Sequence, residues 1–481
     1  MIPRMAAAIG CVAALVGCGP SAAHFSSYPP ARALAAVTQV PDGDWTTFDY
    51  DAARSGSGPA ATGITTANAR GLGRRVVGID GVADSAPIQI HALRVRGRVR
   101  DVVVVTTTFG HTIAFDARTG ARLWEFVAAG SAQITTASPV LDPDRRHLYA
   151  ASPDGVIHKL SATSGRQSWS ARITFDPHRE KIEGGLNISG PYVIAATGGY
   201  FGDAPTYQGH VALIDRSTGR VAHVWNSLCS DRHQLIDPPR SCPFSNSGIW
   251  GRAGAVVEPG TGRLLVATGN GPFNGTTNWG DSALELSSDA SAPLHSWTPT
   301  NQAQLGSSDT DVGSTAPALL GGGLTVQGGK DGLLALLDLD RLGVGHTGGE
   351  LQRISSPGGG EVLTTPAVWH HDGRTWLFVA DDAGTAAYVL QSGRLHIAWQ
   401  DGSAGTSPVL AGGLLYIYDQ VAGTLRILRP ASGARVATLP AAPGHWSSPI
   451  IVGGRVILPV GGSTPDGGTH GTVFVYHLPG R

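Results

Sequence analysis

Few residues in this chain are placed to do chemistry, and the cysteines are the most informative. Cys229 and Cys242 share a stretch that also holds Pro238, Pro239 and Pro243. No C-x-x-C occurs, and the nearby His233 has no partner at finger spacing, so the pair reads as a disulfide rather than a zinc site. A bridge closing so short a loop stabilises a fold by about 3 kcal/mol on the chain-entropy model. His370-His371 stands beside Asp372-Gly373 and reads as a solvated turn. Gly269, Gly271 and Gly275 form G-x-G-x-x-x-G, one residue longer than the dinucleotide fingerprint and set between strands. H-E-x-x-H, G-x-S-x-G, Walker A and C-x-x-C-H strings are all missing, so electrons from any oxidation leave through a separate carrier.

The bulk composition says what must position such residues. The 35 basic and 36 acidic side chains give a net charge of −1, without the basic excess that nucleic-acid binding needs. With 41% hydrophobic and 15% charged residues, the chain can bury a large core. Its 67 glycines and 31 prolines favour turns over helices, which points to an all-β protein.

Arg4 is the only charge before an apolar run from Met5 to Val16. That run falls short of the roughly 20 residues a membrane-spanning helix needs, and suits an export signal. It ends in Leu15-Val16-Gly17-Cys18, which resembles the lipobox of bacterial lipoproteins, where the cysteine is acylated. A plain signal peptide cut nearby is the alternative. The expectation is a signal peptide over 1–17, lipidation at Cys18, a flexible linker over 18–44 and an extracytoplasmic location, periplasmic or at the cell surface. The only membrane contact expected is through the lipid.

From residue 45 onward one pattern recurs: two apolar strands around a Gly-containing turn. VVVVTTTFGHTIAFD (102–116), LYAASPDGVIHKL (148–160), LTVQGGKDGLLALL (324–337), WLFVADDAGTAAYVL (376–390) and LLYIYDQVAGTLRIL (414–428) are the clearest copies. Longer versions cover 192–215, 264–286 and 456–478. Eight hairpins spaced about 50 residues apart match propeller blades rather than helical repeats. Blades cannot bury both faces alone, so they pack radially and the ring removes most exposed edges. Residues 45–481 therefore read as an eight-bladed β-propeller, with seven blades as the alternative because insertions blur 185–300. An N-terminal strand should close the last blade, and Trp45-Thr46-Thr47-Phe48 is the candidate. Ser138-Pro139, Thr365-Pro366, Ser407-Pro408 and Ser448-Pro449 open units, where a proline costs a strand little.

Between hairpins come IAFDARTGARLW (113–124), IHKLSATSGRQSW (157–169) and VALIDRSTGRVAHVW (211–225). This Thr/Ser-Gly turn followed by tryptophan resembles the docking repeat of PQQ-type propellers, the quinoprotein alcohol dehydrogenases and their relatives, over nearly all of 45–481. In that family the tryptophan packs between blades. SGIWGRAGAVVEPGTGRLLVATGNG (247–271) is similar to their cofactor-bearing blade. The resemblance implies that Trp250 forms the floor under the quinone and that Asn270 ligates calcium. It implies Asp311, with Asp309 close behind, as base or second calcium ligand, and Lys330 on the quinone oxygens. Such residue types suit this chemistry, because calcium wants oxygen ligands, a carboxylate takes the alcohol proton, and a cation offsets charge on the reduced ring. Two family features are missing. There are no adjacent cysteines, and no glutamate precedes GHVALID (209–215), where Asp203 is the only nearby carboxylate.

Two functions follow. One is a lipid-anchored, PQQ- and calcium-dependent oxidoreductase acting on an alcohol or sugar. The other is a cofactor-free propeller scaffold that binds protein or cell-envelope partners, with Asn270 and Lys330 reduced to turn residues and Trp250 to packing.

Overall fold

Each of the eight hairpins forms the two central strands of one antiparallel sheet, and a computed structural model shows eight such sheets among the described residues. The structure describes residues 40–128, 133–200, 206–462 and 470–480; Cys18 and Asp203 lie outside them. Blade 1 runs Ile88–Val95, Arg98–Thr106, His111–Asp116 and Arg122–Val127, from the axis outward. Blades 2 to 7 repeat this order through Arg435–Pro440. Pro139, Pro366, Pro408 and Pro449 each stand immediately before an inner strand, where no ladder donor is lost. One six-residue α-helix, Gln302–Ser307, is described, and among the described residues no helix is long and apolar enough to cross a membrane.

Blade 8 is built from both ends of the chain. Ile450–Val452, Arg455–Val460 and His470–His477 are completed on the outside by Gly73–Asp80, paired from Gly73↔His477 to Asp80↔His470. An N-terminal strand thus closes the ring, but it is not Trp45-Thr46-Thr47-Phe48. Those residues sit at the axis instead. Trp45 exchanges two backbone hydrogen bonds with Gln89 on the inner strand of blade 1, both 2.9 Å. The chain then winds past the other inner strands: Leu141 donates to Thr46 O, Val257 to Ala52 O, Val368 to Ser55 O and Leu410 to Gly56 O. Arg54 fastens this strap through the carbonyls of Phe48, Gly185, Leu186 and Ala253, at 2.8 to 3.0 Å. A short aromatic and β-branched stretch reads as an outer strand, and nothing local distinguishes it from an axial one.

Blades are held to their neighbours by the tryptophans. Trp124 of blade 1 donates its indole N–H to Ala162 O, and a Cβ on Gly165 of blade 2 would lie 2.5 Å from its ring. Trp169 meets Gly219 of blade 3 in the same way. Trp399 docks on Gly433 and Pro430 O of blade 7, so the degenerate Ala431-Ser432-Gly433 turn still receives a tryptophan from the preceding blade. These glycines have φ near +70°, which lets the turn present a bare backbone to the indole. Cys229 and Cys242 are disulfide-bonded over a small core with Leu228 and Ile236.

Candidate functional site

The turns between the two central strands of each blade gather at one end of the axis, together with the residues that lead into the inner strands. In blades 4 and 5 this brings together Trp250, Asn270, Asp309, Asp311 and Lys330. Gly269–Gly271 is pinned from both sides: Gly269 N–H donates to Gly248 O (2.8 Å), Ser247 N–H to Asn270 O (2.6 Å), and Asn270 N–H to Asp311 Oδ1 (2.8 Å). Asn270 Nδ2 also reaches Asp309 Oδ1 at 3.3 Å. Lys330 Nζ lies 2.5 Å from Asp311 Oδ2 and 3.6 Å from Asp309 Oδ1.

Trp250 is partly exposed and rests in a cradle of glycines. A Cβ on Gly198, Gly248 or Gly269 would come within 3.1, 2.8 and 2.7 Å of its ring. Tyr207 closes one side edge-on, 5.7 Å between centroids. The indole N–H is buried without a hydrogen-bond partner among the described residues, as are those of Trp45 and Trp225.

Asp311 is 3% exposed, and burial pushes its carboxyl above the usual range against the opposing pull of Lys330. Lys330 is raised: burial pushes it down, but Asp311 outweighs burial. Asp281, a residue the sequence reading missed, is fully buried beside them. Its oxygens accept from Val312 N–H (3.2 Å) and Gln302 Nε2 (3.4 Å), and burial carries its carboxyl to about 7. Gln302 donates to Gly271 O as well, so the short helix and Asp281 together fix the Asn270 turn. Trp279-Gly280-Asp281 in a long hairpin reads as turn sequence, and no spacing rule singles it out. His370 and His371 do not converge: His370 Nδ1 faces Thr375 Oγ1, and His371 stacks on Trp369.

This arrangement offers a flat aromatic face, a dry carboxylate able to take a proton or ligate a hard cation, a carboxamide, and a paired ammonium. The eight-bladed ring makes the chain a β-propeller, and its tryptophan-docking repeats are similar to those of PQQ-type propellers. Residues 89–248 match the family model of the outer membrane protein assembly factor BamB. A polyvinylalcohol dehydrogenase of Sphingopyxis sp. (strain 113P3) is 22% identical over 212 residues, 40% of this chain. The match spans only 31% of that relative's length. Among solved structures, the quinohemoprotein alcohol dehydrogenase of Comamonas testosteroni superposes with a TM-score of 0.68 at 16% identity, over 93% of this chain and 82% of its own. A europium-containing methanol dehydrogenase gives 0.67 at 14%, over 91% and 98%. At such identities these likenesses establish the fold.

Proposed function

We propose that the protein is an exported, Cys18-lipidated quinoprotein oxidoreductase that oxidises an alcohol or sugar with PQQ and calcium and passes the electrons to a separate acceptor. The observation that carries this reading is the Trp250 cradle beside the Asp311–Lys330 pair. The residues fit such a group. The indole is held in place by backbone that has no side chains to intrude. Asp311 and Asn270 supply oxygen donors of the kind calcium prefers, with Asp203 as the proposed third. The quinone would supply the two-electron acceptor, and the metal Lewis acidity.

The chain's own groups then have separable roles. Trp250 orients the flat ligand, and the glycines beneath it exclude water from that face. Asp311 takes the proton of the substrate hydroxyl at Oδ2, a transfer favoured by burial that raises its affinity for protons. Once Asp311 is neutral, Lys330 is released to balance other negative charge in the site. Asp281 holds Val312, the residue after Asp311, and thereby keeps the carboxylate in place. The quinoprotein relatives support an extracytoplasmic location.

The test is dye reduction by protein reconstituted with PQQ and calcium over a panel of primary alcohols, secondary alcohols and sugars. Turnover that disappears in Asp311→Asn supports the reading; no turnover on any substrate overturns it. The match of residues 89–248 to the BamB model favours a scaffold as the second reading. That reading predicts no dye reduction and a stable complex with an envelope protein.

A further inference from the structure

The tryptophan docks occupy one register position of the blade. In blades 1, 2 and 6 the residue paired just before the bulge between the third and outermost strands is Trp124, Trp169 and Trp399, opposite Ala114, Lys159 and Ala387. Each indole N–H donates to a carbonyl in the next blade's turn, that of Ala162, Arg216 or Pro430. In blade 4 the same position holds His295, opposite Glu285. The turn it faces in blade 5, Leu339–Arg341, carries Asp340. An imidazole and two carboxylates, one from each blade, therefore stand where other seams put an indole and a backbone carbonyl. His223 holds the position in blade 3, opposite Leu213, and packs edge-on against Tyr192 instead.

His295 Nδ1 is 2.5 Å from Glu285 Oε2 and 3.7 Å from Asp340 Oδ1, and one ligand atom from each of the three residues lies within 4.8 Å of the other two. A proton on Nδ1 serves Glu285 but leaves Asp340 beyond hydrogen-bond reach. A divalent cation in the proton's place satisfies both carboxylates at once. At zinc bonds of about 2.0–2.2 Å, ligand atoms lie about 3.3–3.6 Å apart. Closing on a metal thus asks mainly for a swing of Asp340, whose side chain is 59% exposed. Glu285 and His295, 5% and 21% exposed, are already held. Arg263 Nη1 takes Glu285 Oε1 at 3.2 Å and so turns Oε2 to the imidazole, the way an outer-shell donor orients a ligating carboxylate.

We propose that Glu285, His295 and Asp340 bind a zinc ion that clasps blade 4 to blade 5. The imidazole selects a first-row transition metal over calcium, which prefers oxygen donors alone. Three protein ligands leave the fourth position to water. The clasp joins the two blades that carry Asn270 and Lys330, but it does not depend on what those residues bind.

The test is calorimetric titration of the metal-free protein with zinc, calcium being present in excess to fill any oxygen-only site. One zinc per chain at micromolar affinity is expected. His295→Ala and Asp340→Asn should each weaken it about tenfold or more, whereas His223→Ala, the control at the same register position, should leave it unchanged. Zinc should also raise the melting temperature of the wild type and of His223→Ala, but not of His295→Ala. If His295→Ala does not fold, Asp340→Asn, a change on an exposed side chain, decides alone. No zinc binding below about 100 µM, or binding that either ligand variant leaves intact, overturns the proposal, and the three residues are then an ion-paired cluster. PQQ is absent throughout, so a failure here leaves the quinoprotein reading untouched, and the reverse holds as well.

Discussion

Lys330 Nζ stands 2.5 Å from one oxygen of Asp311, while the other oxygen takes the backbone N–H of Asn270. One carboxylate therefore joins the turns of blades 4 and 5 and keeps a single cation beside the tryptophan cradle.

Removing that cation should show in stability before it shows in catalysis. Lys330→Met leaves a carboxylate that is 5% exposed without its partner. A fully buried pair broken on one side costs 3–5 kcal/mol, but Lys330 is 23% exposed, so about 1–2 kcal/mol is expected at neutral pH. The Asp311 carboxyl should move further up, and in acid it is neutral in both proteins. Urea unfolding should therefore show the deficit near pH 7 and a smaller one near pH 4. A deficit independent of pH would mean the pair is not what was lost.

Gly269→Ala tests the cradle without removing an ionisable group, by crowding both Asp311 and Trp250. Its Cβ would fall 2.3 Å from Asp311 Oδ1 and 2.7 Å from Trp250 Nε1, and both must move. Overpacking of this kind costs about 1–3 kcal/mol, and the Trp250 emission should shift. Gly78→Ala, in a strand with open space around the new methyl, is the neutral control. Equal effects at both glycines would remove the steric argument.

The architecture was legible where sequence pattern and packing agree. Hairpins such as 376–390 read as nearly continuous apolar runs around glycine turns because central blade strands are buried on both faces, and the Thr/Ser-Gly…Trp spacing reflects an indole docking on a bare turn. Trp45–Phe48 misled because its composition suits both an edge strand and an axial strap. The fact that decides between them, Arg54 bonded to Gly185 and Leu186, is more than 130 residues distant in sequence. Trp250, Asn270, Asp309, Asp311 and Lys330 were named from a resemblance. Their contacts come from turns of adjacent blades, which no single motif spans. Asp281 stayed hidden because its partners, Gln302 and Val312, lie in the following connection and no spacing rule joins them to it.

Glu180 should make stability fall as pH rises. It is 1% exposed, accepts from Gln208 N–H (3.1 Å) and from the Thr174 hydroxyl, and burial raises its carboxyl to about 8. The folded state thus holds a proton that the unfolded state, with a carboxyl near 4.5, has lost. Between those values the native protein binds more protons, so its stability is highest below about 4.5 and declines until about pH 8. Glu180→Gln keeps the shape and should flatten that decline, melting above the wild type near pH 8. A variant with the wild-type slope would place the titration elsewhere.

The disulfide should matter locally. Cys229 and Cys242 tie a loop that carries its own small core with Leu228 and Ile236. Cys242→Ser should cost about 2–4 kcal/mol, and proteolysis should begin within 229–242 rather than in the blades. Non-reducing peptide mapping that recovers two alkylated thiols from the native protein would contradict the bond.

The most direct test of the site is PQQ titration of the apoprotein with and without calcium, followed by tryptophan quenching. Saturable quenching at micromolar PQQ is expected only when calcium is present. Trp250→Ala should weaken it by roughly ten- to a hundredfold, the 1–3 kcal/mol typical of a lost stacking face, and Asp311→Asn should abolish its dependence on calcium. Quenching that ignores calcium and survives Trp250→Ala, or no saturable quenching at all, would contradict the account and return these residues to turn and packing roles.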